Sequence, residues 1–175
     1  ELRDELRTHG YQFSTNTDTE VLIKAWIHWQ AECLSKFRGM FAFVIYDRFK
    51  SKIYTATDAF AIKPLFFKLV SGKEFVFSSE ISGLLALDNN KRRLNLNTAY
   101  EYLHNGRYDR SIDTFFDGIY RLEAGKLMSI SVDRIELEYN ESWWNPSIDR
   151  VANISLAKAA DNVRDLFLES IRLHM

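Results

Sequence analysis

Apolar residues return at helical spacing from the first residues of the chain. Leu2 and Leu6 stand four apart, and Gly10 falls where a left-handed residue ends a helix. Tyr11 to Ser14 is a short extended piece, followed by the polar turn Ser14 to Glu20. Thr17 and Glu20 have capping-box spacing, so a helix is predicted to start near Asp18. Val21, Leu22, Ala25, Trp26 and Trp29 carry it on to Glu32 or Lys36, and Gly39 breaks it. The pattern then changes period. Met40 to Tyr46 is apolar and aromatic throughout, as in a strand covered on both faces. Ile53 to Thr57, Leu65 to Val70 and Glu74 to Ser78 follow as strands in meander order, with a turn at Ser71 to Lys73. Ser79 is placed to cap a short helix holding Ile81, Leu84 and Leu85. Asn97 is placed to cap another, Thr98 to His104, closed by Asn105-Gly106. Ile119 to Leu122, Lys126 to Val132 and Arg134 to Tyr139 complete the strands, punctuated by Asp117-Gly118 and Ala124-Gly125. After Trp143-Trp144-Asn145-Pro146 the composition shifts. Ser155 to Met175 reads as one amphipathic helix, with Leu156, Ala159, Ala160, Val163, Leu166, Phe167 and Ile171 on one face. No strand alternates with a helix as a parallel sheet requires, so the pattern predicts an antiparallel α+β fold with a boundary near residues 145–154.

Composition narrows the function classes. Lys and Arg number 23 against 24 Asp and Glu, a formal net charge of −1, so no basic excess draws the chain to nucleic acid or an anionic membrane. No run approaches the length of a membrane-spanning helix. The single cysteine, Cys33, forms no internal disulfide, and no Cys/His set has zinc spacing, which fits a reducing, cytoplasmic setting and no metal site. Aromatics at 14% in 175 residues supply material for a substantial core. Glu1 falls inside one helical pattern and Met175 inside another, so the chain reads as a fragment of a longer protein.

Candidate chemistry is sparse. His9, His28, His104 and His174 are scattered on helical segments and assemble no triad with a nucleophile. Cys33 sits among Leu34 and Phe37, as an inert core thiol does. No glycine pattern makes a phosphate loop. Asp18 stands apart. A carboxylate in the first turn of a helix is kept ionised by the dipole, and it serves either as a plain first-turn acid or as a clamp for a ligand ammonium group. Composition and spacing alone stop at a soluble, mostly antiparallel α+β domain.

Several segments in order resemble the class II glutamine amidotransferases, in the asparagine synthetase branch. They are Thr17-Asp18-Thr19-Glu20-Val21, Gly39 to Asp47, Asp58 to Phe67 (Asp-Ala-Phe-Ala-Ile-Lys-Pro-Leu-Phe-Phe), Phe77 to Ile81, Thr114 to Ile119 with Leu122 to Gly125, and Trp143-Trp144. The order spans about 130 residues, nearly the whole chain.

The resemblance implies an N-terminal-nucleophile hydrolase-like, four-layer sandwich of antiparallel sheets between helices, incomplete at its N-terminus. It implies residues 1–148 as a truncated glutamine amidotransferase domain and 149–175 as the start of an asparagine synthetase, ATP pyrophosphatase-type domain. In such enzymes an N-terminal cysteine hydrolyses glutamine, and ammonia passes to a synthetase half that activates a carboxylate with ATP and Mg. By resemblance Asp18 holds the α-amino group of glutamine. The nucleophilic cysteine, the arginine for the glutamine carboxylate and the Asn-Gly oxyanion segment would precede Glu1, and the ATP loop would follow Met175. Catalytic residues are therefore expected to be absent here, no cofactor is expected in this chain, and the fragment alone is expected to be inactive. The implied partners are glutamine, the chain's own synthetase domain and, in some members, a second copy. Three positions depart from the pattern: Thr57 replaces an arginine, Ala61 replaces a glycine suited to a φ > 0 turn, and Phe66-Phe67 replaces a Tyr-Tyr pair. These departures leave open a divergent, non-catalytic member or an amidotransferase acting on a sugar.

Overall fold

The computed structural model describes residues 1–87, 92–107, 111–147 and 154–174. The chain divides into two units, Glu1–Trp144 and Asn145–Met175.

The first unit opens with α1 (Leu2–Thr8), which ends as its glycine predicts. Gly10 has φ +86°, its N–H donates to Arg7 O at 3.0 Å, and Tyr11 N–H donates to Leu6 O at 3.1 Å. The carbonyls of the last turn are satisfied in this way. α2 runs Asp18–Trp29, starting where the pattern puts it. Its end differs. Gln30 takes φ +51° and the chain tightens into a 3-10 stretch, Gln30–Lys36. No glycine or proline marks the break. The Gln30 side chain does, donating to Trp26 O at 2.8 Å and accepting from Lys50 at 2.6 Å, while the new path buries Cys33 and Leu34 completely. Tertiary burial overrides helix propensity here.

Two antiparallel sheets follow. β1 (Ala42–Asp47), β2 (Lys52–Thr57), β6 (Lys126–Ser131) and β7 (Glu136–Ser142) form the first, in order β1-β2-β6-β7. β3 (Phe66–Val70), β4 (Glu74–Ser78) and β5 (Tyr120–Arg121) form the second, in order β4-β3-β5. Register explains the layering. Phe43 pairs with Ala56, and Ala56 with Leu127; all three pack with Leu6, Ala25, Trp26 and Leu34 on the helix side. Val44 pairs with Thr55, Ile53 with Ile130; Val44, Ile53 and Ile130 pack with Leu65, Phe67, Leu69 and Phe75 of the second sheet's side. Period-two alternation thus splits each strand of the first sheet between two cores. β1 has both faces covered, as its continuous apolar run predicts, although among the described residues it pairs on one side only and Met40 and Phe41 precede it. α3 (Ile81–Leu87) packs on β3 and β4 and buries Leu84. The first sheet thus has helices on one face and the second sheet on the other.

Ahead of α3, Ser78 Oγ accepts from Glu80 N–H at 3.1 Å. One cap moves from its predicted position. Asn95, not Asn97, caps α4 (Leu96–Asn105), accepting from Asn97 and Thr98 N–H at 3.2 Å, and Gly106 closes it in the left-handed conformation. The second unit contains α5 (Leu156–His174), whose Leu156, Val163, Leu166 and Phe167 are exposed. No described helix is long and apolar enough to cross a membrane.

Ala61 keeps φ +49° although it is not glycine. The left-handed conformation costs an L-residue about 1–2 kcal/mol, and glycine loses about 0.5–1 kcal/mol more chain entropy on folding. Ala61→Gly is expected to raise stability by up to about 1 kcal/mol, read as a rise of roughly 2–4 °C in Tm by calorimetry.

Candidate functional site

The Asp18 turn is built from four sides. Thr17 Oγ1 accepts from Glu20 N–H at 3.4 Å, the first half of the capping box. The second half is rerouted: the Glu20 carboxylate reaches past Thr17 and accepts from Ser14 N–H at 2.9 Å and Thr15 N–H at 2.7 Å. Lys24 also pairs with it, and its side chain donates to Gln12 O. Arg3 of α1 donates to Thr15 O at 2.6 Å and Thr17 O at 3.1 Å. The Phe13 ring lies between the Arg3 guanidinium at 4.5 Å and the Lys24 ammonium at 4.4 Å.

The Lys24 ammonium, together with the Ser14 and Thr15 donors, holds the Glu20 carboxyl far below the usual carboxylate range. A lowered value adds stability above the ordinary glutamate range that is lost as pH falls through the folded value. In Glu20→Gln one side-chain atom becomes a donor facing the Ser14 or Thr15 N–H, and the Lys24 pairing is lost. Amide exchange at those two residues is expected to quicken roughly tenfold, with the buried N–H groups of β2 unchanged.

Ser14, Thr15, Thr17 and Glu20 are all bonded within this turn, and Asp18 is not. Among the described residues its carboxylate has no hydrogen-bond or ion-pair partner, and it lies exposed on a cavity of about 550 Å³. Leu2, Val21, Leu22, Phe37 and Phe41 give the cavity apolar walls, and Met40 stands at its edge. Two cations line it, both already facing acids of α1 and the chain start: Lys36 lies 2.6 Å from Glu5 and over the Trp29 ring at 4.6 Å, and Arg38 lies 3.9 Å from Glu1. A free carboxylate beside apolar walls suits a ligand with a cationic head and a short aliphatic body.

The wall opposite α2 depends on a residue whose role the sequence did not disclose. Asp58 is 2% exposed. Its carboxylate accepts from Phe60 N–H at 3.0 Å and from Phe41, Ile62 and Lys63 N–H at 3.1 Å each. Burial alone pushes the carboxyl up; the Ile62, Lys63, Phe60 and Phe41 N–H groups more than reverse this, and it sits below the usual range. An acid between an apolar strand and the Ala-Phe-Ala-Ile-Lys-Pro run was the available signal.

The remaining candidates fall elsewhere. Cys33 is fully buried, and burial pushes its thiol up to about 12, so it stays protonated and unreactive. His9 and His28, separate in sequence, meet at 4.4 Å between ring centroids beside Tyr11 and Trp29, because each lies at the C-terminal end of a helix. His104 stacks on Tyr100 at 5.4 Å, and the His174 side chain lies outside the described residues. No described cluster of three or more His, Cys, Asp or Glu is placed to hold a metal ion.

Residues 1–144 match the family described as the glutamine amidotransferase domain. The chain belongs to that family. The domain is of the asparagine synthetase type, as its motifs indicate: it is 31% identical over 171 residues to asparagine synthetase [glutamine-hydrolyzing] 3 of Bacillus subtilis, covering 98% of this chain and 27% of that protein. It is 35% identical over 143 residues to a putative asparagine synthetase [glutamine-hydrolyzing] of Mycobacterium bovis, covering 77% of this chain and 21% of the relative. A more distant match, 26% identical over 168 residues, is amidase chry2 of Gibberella zeae, with 94% of this chain and 24% of the relative covered. The chain therefore spans about a quarter of the length of the curated relatives it matches. Both sheets of the first unit fall within the matched residues 1–144, and so do Asp18, Asp58 and the cavity between α1, α2 and Phe41.

Proposed function

We propose that this chain is the glutaminase portion of a glutamine-dependent asparagine synthetase. In the whole protein, glutamine hydrolysis supplies ammonia for ATP-dependent amidation of aspartate or a related carboxylate. The observation that carries the reading is the Asp18 carboxylate, without a partner among the described residues, on a cavity with apolar walls and beside a turn that Thr17 and Glu20 fasten. Asp18 accepts from the α-ammonium of glutamine, and the apolar walls line its methylenes. The nucleophile and oxyanion donors of an N-terminal-nucleophile hydrolase come from outside these residues, and so do the ATP and Mg sites, which belong to a synthetase region that α5 begins. Cys33, buried and protonated, does not substitute for the nucleophile. The 175 residues alone bind glutamine weakly and do not hydrolyse it. Names of relatives support the acceptor: two of those compared are called asparagine synthetases.

The test is steady-state product formation by the full-length protein with glutamine or with ammonium as nitrogen source, in wild type and Asp18→Asn. Loss confined to the glutamine arm supports the reading. Equal loss in both arms makes Asp18 a structural cap and overturns it.

A further inference from the structure

His9 and His28 are far apart in the chain and side by side in the fold. Their ring centroids lie 4.4 Å apart with an interplanar angle of 38°. His9 is the residue that ends α1, and His28 lies in the last turn of α2, so both rings stand where the helix field favours a cation. Both residues are exposed to solvent. Among the described residues, no hydrogen bond or ion pair occupies a ring nitrogen of either.

Two aromatic walls hold the pair. Tyr11 meets His28 nearly at right angles at 5.5 Å, and Trp29 stands edge-on to His28 at 4.7 Å and to His9 at 5.9 Å. Tyr11 and Trp29 are themselves half-buried against the core that Leu6, Ala25 and Leu34 form. The imidazoles are thereby placed before any ligand arrives, and little side-chain freedom remains to be lost. Burial does not explain the pairing, because both histidines stay in contact with water. The nearest cation, Lys36 over the Trp29 ring at 4.6 Å, is balanced by Glu5 at 2.6 Å.

Imidazole nitrogens are good ligands for Zn2+, Ni2+ and Cu2+ and poor ones for Mg2+ and Ca2+, which take oxygen. An ion about 2.0–2.1 Å from one nitrogen of each ring puts neighbouring imidazole centres roughly 4–5 Å apart. The observed separation falls in that range. The geometry points to His9 and His28 as a two-histidine site for a first-row transition-metal ion. Each helix supplies one imidazole. No third described His, Cys, Asp or Glu completes the set, so water fills the remaining positions. Such an ion ties the C-terminal end of α1 to that of α2. Asp18 stands at the opposite end of α2, so the site is separate from the cavity and does not depend on the function proposed above.

The experiment uses untagged full-length protein with its accessible thiols alkylated, so that cysteine does not compete. Ni2+ is titrated in and tryptophan fluorescence is followed, since Trp29 touches both rings. A saturable quench is expected with Ni2+ and none with Mg2+. His9→Gln and His28→Gln are each expected to raise the Ni2+ midpoint at least about tenfold. Trp29→Phe is expected to lose most of the quench and to keep the calorimetric Ni2+ affinity within about threefold, because the indole has no lone pair to offer a metal. An unchanged midpoint in either histidine variant overturns the site, and so does a quench that Mg2+ reproduces. Hydrogen exchange in the wild-type protein gives a reading that needs no variant. Residues 7–11 and 28–31 are expected to exchange more slowly with Ni2+ bound, and unchanged exchange in both segments overturns the site as well.

Discussion

Asp58→Ala is expected to bring the domain close to unfolding. The substitution leaves four backbone N–H groups, at Phe41, Phe60, Ile62 and Lys63, without their acceptor in a site that is 2% exposed. Each buried orphan costs roughly 1–3 kcal/mol, and breaking such a charged network costs about 3–5 kcal/mol overall. Domain stabilities are only about 5–15 kcal/mol. Asp58→Asn is milder but not neutral, since its amide nitrogen turns a donor toward N–H groups that need an acceptor; about 2–4 kcal/mol is expected. Acid separates the causes. The folded carboxyl lies below its ordinary range, so its contribution is complete above about pH 4, the unfolded value, and fades as pH falls through the lower folded value. Urea titrations of wild type and Asp58→Asn should therefore converge below about pH 4. A constant gap down to pH 2 on this series would show that shape, not charge, explains the loss.

Asp18→Asn is expected to lower kcat/KM for glutamine by about 10- to 150-fold in the full-length protein, the equivalent of one charge-assisted hydrogen bond of roughly 1.5–3 kcal/mol. Ammonia-dependent synthesis should stay within about twofold, because ammonia does not need the ammonium clamp. The fold should be untouched. Thr17 caps the helix and Glu20 fastens the turn, whereas Asp18 makes no bond that its loss would break. A fall in Tm comparable to that of a lost cap, about 1 kcal/mol, would return Asp18 to a first-turn acid.

Much of this arrangement was legible because local signals and tertiary packing agreed. Gly10, Thr17 and the period-two strands state their own conformations, and each appears where its chemistry requires. The motif order identified the family before any geometry was known. The sequence was silent where a long-range contact decides. Nothing in Trp29-Gln30-Ala31 announces a break; Lys50, twenty residues on, supplies it. Asp58 read only as a motif letter because its four donors come from both sides of it in the chain. His9 and His28 meet only because α1 and α2 end side by side, a fact of packing rather than of pattern. Glycine at 61 would have advertised the left-handed turn, and alanine concealed it.

β1 is bonded to a neighbour strand on one side only among the described residues, yet both of its faces are covered by the two cores. Its outer row of peptide groups is therefore a rigid, apolar-flanked template. A purified preparation of this chain by itself would carry that template in every molecule, and strand-to-strand association across it would grow with concentration. Storage at low concentration, or a lysine placed at Tyr46, whose side chain is exposed on the same strand, is the practical remedy.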